Sequence, residues 1–171
     1  MMKAVNGTES EVSVVEIDQI VGHWSDLRRA EAERLAELES KREKFLEDFG
    51  DITDSVIRPA MQAVVDQLGK DGGGGLIVER KEDVNHRPRV TLWMSLEGTI
   101  DGEPRQDLNP YLQFDADVGR RRIDVWEGDM WKKEGSSRAT SPWELSEVST
   151  ESITKRILEI LRRAATHGVE A

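Results

Sequence analysis

The apolar residues of this chain change their period twice. They fall at three- and four-residue spacing before Gly72, alternate strictly between Leu76 and Trp126, and return to helical spacing after Thr150. A period near 3.6 puts apolar side chains on one face of a helix, and a period of two puts them on one face of a strand. The order is therefore helices, then strands, then a helix, which is an α+β fold. Strict alternation also selects an antiparallel meander with one covered face, because strands buried in a parallel sheet read as continuous apolar runs.

The boundaries follow from local chemistry. Residues 1–20 read as a flexible or docking arm, in which Val12, Val14, Val15, Ile17 and Ile20 offer a short strand. From about Trp24 to Phe49 the residues are strong helix formers with no Gly or Pro; Ser25 or Asp26 caps the start and Gly50 the end. A second, more apolar helix spans about 51–68, with Pro59 inside it, so a kink or restart is expected near Arg58. The short link at Gly50 predicts an N-terminal helical hairpin, with a single bent rod as the alternative. Gly72 to Gly75 read as a flexible connector, since a phosphate-binding loop needs the order strand, glycines, helix.

Four strands are expected over about 76–126. Their inward residues are Leu76 and Val78, then Val90, Leu92, Met94 and Leu96, then Leu112, Phe114 and Ala116, then Ile123 and Val125. Asp117-Val118-Gly119-Arg120 is the turn between the last two. A further short strand is expected around Met130 to Lys132. A final helix over about 150–166, capped by Ser149 or Thr150, packs on the sheet through Ile153, Ile157, Ile160, Leu161 and Ala164. Residues 21–171 then make one domain.

Composition limits function. The chain has 171 residues, no cysteine and a formal charge of −10. Disulfides, thiolate metal sites and cysteine nucleophiles are excluded. Net negative charge opposes nonspecific binding to nucleic acid or anionic lipid. No apolar run has the length of a membrane span, and a cytoplasmic location is the default expectation. His23, His86 and His167 are scattered, and no G-x-S-x-G nucleophile turn occurs. Nothing in the sequence calls for a cofactor or marks a catalytic residue.

Two constellations remain. Trp93 and Trp126 fall at outward strand positions, and Trp131 and Trp143 flank the loop that follows; exposed rings of this kind are anchors of protein interfaces. The competing reading gives them a second small core. The first helix carries a narrow stripe with Trp24 at one end and Phe45 and Phe49 at the other, apolar at five of eight heptad positions. It reads either as a solvated helix packed on a neighbour or as a docking stripe. Asp115, Asp117 and Asp124 form an acidic set that a hard cation would accept, while pairing with Arg120, Arg121 and Arg122 explains the same residues.

The element order is similar to that of small α+β adaptor and secretion-chaperone proteins, a likeness of fold that carries no function by itself. The expectation is a non-catalytic, adaptor- or chaperone-like module that binds another protein or a second copy of itself. The alternative is a metal- or ligand-dependent enzyme or sensor built on the acidic set.

Overall fold

The computed structural model describes residues 9–81, 87–128 and 137–167, and side chains from residue 14 to residue 166 within those segments. The chain divides into two compact units, Met1–Glu43 and Lys44–Ala171.

Helix α1 spans Glu9–Ile52, so it begins well before Trp24, and the segment read as an arm is helical from Glu9. Gly22 is crossed without a break. A helix-interior glycine costs about 1 kcal/mol relative to alanine, too little to end a helix whose neighbours favour it.

The expected hairpin does not form. A π-helical turn, Thr53–Ile57, follows α1 directly, and α2, Arg58–Lys70, follows that turn, so the backbone is helical through Gly50. The cause is visible in the spacing. Phe45, Phe49, Thr53, Ile57 and Met61 are all buried and recur every four residues. At 100° per residue, each step of four overshoots a full turn by about 40°, which would carry Met61 roughly 160° away from Phe45 in an ideal α-helix. A wider turn absorbs the drift: the Arg58 N–H donates to the Thr53 carbonyl, five residues back. Pro59, which has no N–H to give, sits just beyond, in the first turn of α2.

The glycine run is close-packed, not a loose tether. Gly72 ends α2 with φ +86°, and the Gly73 N–H closes the turn on the Leu68 carbonyl at 2.9 Å. A Cβ on Gly73 would lie 2.5 Å from the Ser95 carbonyl oxygen and 3.3 Å from that of Leu96; one on Gly75 would lie 2.7 Å from Val65 Cγ2. Because the Gly73 neighbours are backbone atoms, Gly73→Ala should destabilise by about 3 kcal/mol in denaturant titration, at the upper end for overpacking.

The sheet has five antiparallel strands in the order β1-β2-β3-β4-β5. They are β1 (Gly74–Arg80), β2 (Arg89–Ser95), β3 (Tyr111–Asp117), β4 (Arg122–Gly128) and β5 (Arg138–Ala139). The four-stranded expectation lacked β5. The strand expected at Met130–Lys132 lies outside the described residues. On the covered face, Val90, Leu92, Met94, Leu112, Phe114, Ala116, Ile123 and Val125 form one core with Ile57, Ala60 and Met61 and with Ile153, Ile157 and Ile160 of helix α3, Thr150–His167. Ser149 caps α3 reciprocally with Ser152: each backbone N–H is bonded by the other's hydroxyl, at 2.9 and 3.1 Å.

Strand β1 has the opposite parity to that expected. Leu76 pairs with Trp93 and Val78 with Thr91, so both lie on the outer face, while Ile77 opposes Leu92 and packs against the core. A one-residue shift in phase moves every side chain of a strand to the other face. Leu96 lies beyond β2 and is exposed.

Inward parity in β4 continues from Ile123 and Val125 to Glu127, which is 1% exposed. Its Oε1 accepts from Arg138 Nε at 2.6 Å and from Arg163 of α3 at 2.9 Å, and Arg156 Nε stands 3.7 Å from Oε2. Three guanidinium groups thus surround one buried carboxylate between the sheet edge and α3.

Candidate functional site

The outer face of the sheet collects most of the chemistry-bearing residues that the sequence singles out. Register arranges it in rows across the strands. Leu76, Trp93 and Tyr111 make an apolar row; Val78, Thr91, Gln113, Trp126 and Ala139 make a mixed one; Arg80, Arg89, Asp115 and Asp124 make a charged one. Among the described residues, the helices contribute to the core on the opposite face, and Arg89 with Asp115, Thr91 with Gln113 and Arg122 with Asp124 make polar contacts within this face.

At the aromatic end, Trp93 and Tyr111 lie with ring centroids 4.7 Å apart, tilted by 43°. This contact fixes the Trp93 ring while leaving it only partly buried. The Tyr111 hydroxyl is hydrogen-bonded to Ser137, and burial raises its pKa above the usual phenol range. In the middle row, Thr91 donates to Gln113 at 3.2 Å, and the partly buried Trp126 is paired with Gln113 across the strands.

At the charged end every carboxylate has a cationic partner. Asp115 takes a two-pronged contact from Arg89, at 2.8 and 3.2 Å. Asp124 accepts from Arg122 at 3.1 Å and lies 3.6 Å from Arg87. Asp117 accepts the Arg120 backbone N–H at 3.1 Å, with the Arg87 and Arg120 guanidinium groups at 3.9 and 3.8 Å. Burial raises the Asp115 carboxyl above the usual carboxylate range, and the hydrogen bonds from Arg89 work against that rise. Asp115, Asp117 and Asp124 do come together, but as acceptors for arginine. Among the described residues no group of three potential metal ligands gathers.

Other sequence candidates lie elsewhere. Phe45 and Phe49 are buried in the core, so they are not a docking surface. Trp143 also turns inward: it bridges to Ile123 and packs on Phe114 with centroids 5.5 Å apart. Trp24, on α1, is 60% exposed. Trp131 lies outside the described residues. Tyr111, Arg87 and Arg89 complete the outer face and were absent from both constellations. The outward parity of β3 was a signal for Tyr111, but Arg87 and Arg89 are placed only by pairing.

Two concavities adjoin this architecture. A groove of about 760 Å³ runs between the β2–β3 connection and the end of α3, lined by Leu96, Glu97, Asp101, Glu103, Leu108 and Ala165 among others. A smaller one, about 320 Å³, has Phe49, Val90 and Pro88 with Thr53 in its lining. The buried Thr53 hydroxyl has no hydrogen-bond partner among the described residues. Among the described residues, neither lining includes a histidine. No described helix is long and apolar enough to cross a membrane. Comparison with protein-family models, with curated proteins and with solved structures gives no match.

Proposed function

We propose that this protein is a non-catalytic interaction module, adaptor- or chaperone-like, that receives a partner protein on the outer face of its sheet. The observation that carries the reading is the pair of partly buried tryptophans, Trp93 and Trp126, on a face against which no described helix packs its apolar side. A partly buried indole held in place loses little freedom on binding and gains from desolvation, which is the physics of an interface anchor. The charged row beside them supplies the polar rim. Its two aspartates are already paired, Asp115 with Arg89 and Asp124 with Arg87 and Arg122, so a partner need not bring positive charge to them. The same pairing counts against a cation as the ligand, since it would have to displace an existing ion pair.

A Trp93→Ala, Trp126→Ala double variant is expected to keep a melting temperature close to the parent, because neither ring belongs to the core. Affinity capture from native lysate, followed by titration of the captured protein, should show binding weakened at least tenfold, which is the loss of one hot-spot contact. Unfolding of the double variant, or unaltered capture, would refute the proposal.

A further inference from the structure

Helix α1 leaves an apolar stripe uncovered from Val14 onward. Val14, Ile17, Val21, Trp24, Leu35 and Leu38 occupy six of the eight heptad seam positions between residues 14 and 38. Five of these, together with the flanking Val15, Ile20 and Leu27, are 51–61% exposed. Those eight side chains present roughly 800 Å², about what one partner contributes to an interface of standard size. The two remaining seam positions are Arg28 and Glu31, of opposite charge and adjacent along the seam.

We infer that this stripe pairs with the same stripe of a second copy of the chain, in an antiparallel coiled coil centred between Arg28 and Glu31. The charges choose the direction. Parallel pairing would set Arg28 against Arg28 and Glu31 against Glu31 in the seam, which is destabilising. Antiparallel pairing about that centre sets Arg28 of each copy against Glu31 of the other. The same register brings Trp24 opposite Leu35 and Val21 opposite Leu38, giving six consecutive layers related by a two-fold axis. Ile17 then meets the aliphatic stem of Arg42.

The surface of the helix fits this register independently. Val21, Trp24, Ser25 and Arg28 bound a shallow hollow, and their spacing of i, i+3, i+4 and i+7 is that of the hole that receives one knob of a facing helix. Leu35 of the second copy is the residue that the register delivers to it. Glu31 is already fixed on its own helix by Arg34, at 2.7 and 2.8 Å, and a carboxylate has lone pairs for a second guanidinium.

The chain has no cysteine, so the pairing can be read directly with single cysteines. Sedimentation equilibrium of the intact protein should give a dimer at tens of micromolar, and Trp24→Ser with Leu35→Ser should give a monomer whose Lys44–Ala171 unit melts as in the parent. Arg28→Glu and Glu31→Arg should each weaken the dimer at least tenfold, and the two together in one chain should restore it. An oxidised mixture of Val21→Cys and Leu38→Cys chains should cross-link to each other in preference to themselves. The inference does not rest on the sheet face, and the Trp93, Trp126 variant should dimerise as the parent does. A monomeric parent, a dimer unaffected by Trp24→Ser with Leu35→Ser, a double charge exchange that fails to restore it, or preferential self-linking of Val21→Cys would each overturn it.

Discussion

Replacing Glu127 by alanine should cost about 3 kcal/mol, the low end of the range for removing one partner of a buried ion pair. The carboxylate is 1% exposed, accepts hydrogen bonds from Arg138 and Arg163 and stands 3.7 Å from Arg156. Without it, those guanidinium groups are left without their central acceptor at the junction of β4, β5 and α3. The cost stays at the low end because Arg138 is 60% exposed and can turn to water, whereas Arg156 and Arg163, at 25% and 29%, are less free to do so. Urea unfolding followed by far-ultraviolet circular dichroism measures the loss. Glu127→Leu combined with Arg163→Leu should recover part of it, since a buried pair replaced together by apolar groups is often neutral. A Glu127→Ala variant within 1 kcal/mol of the parent would show that the arrangement contributes little to the fold.

Leu92→Ala should cost about 3–5 kcal/mol, the largest effect of any single truncation proposed here. Leu92 is wholly buried on β2, in the core shared with α2 and α3. Leu76→Ala, one strand away, should cost less than about 1 kcal/mol, because Leu76 is 37% exposed on the opposite face. The contrast between two leucines tests the parity of β1 by denaturant titration alone. Equal losses would mean that Leu76, not Ile77, faces the helices.

That parity was the part of the sheet least legible in the sequence, for a physical reason. Strands β2, β3 and β4 each alternate apolar with polar residues through a clear stretch, such as Arg89 to Leu92 and Arg122 to Val125, and their covered faces were read correctly from Val90 through Val125. In β1 the apolar run Leu76-Ile77-Val78 has no alternation, and the glycines before it lack side chains that would set the phase. The close contacts of Gly73 and Gly75 are tertiary and leave no local trace beyond glycine itself. Glu127 was hidden because a carboxylate two residues after Val125 reads as the end of a covered face. Its continued parity, with Arg156 and Arg163 seven residues apart on α3, was the available signal. Of the candidate site, the outward positions of Trp93 and Trp126 were legible from alternation, while the inward turn of Trp143 depends on a bridge to Ile123 made across sequence.

The π-helical turn has a consequence for how this gene can change. Most helices accept substitution and reject insertion or deletion, because one residue more or less rotates everything downstream. Here the chain already carries the rotation of an extra residue, taken up between Thr53 and Ile57. Asp54 and Ser55 are exposed, so their identities are nearly free to drift. Their number has slack as well. A single-codon deletion among them would let the segment relax to an ordinary α-helix and keep Phe45 and Phe49 in phase with Ile57 and Met61, because removing one step of about 100° cuts the offset from roughly 160° to roughly 60°. Relatives of this protein should therefore vary in composition at these positions, and any that lack one residue here should carry an unbroken α-helix with the same buried face.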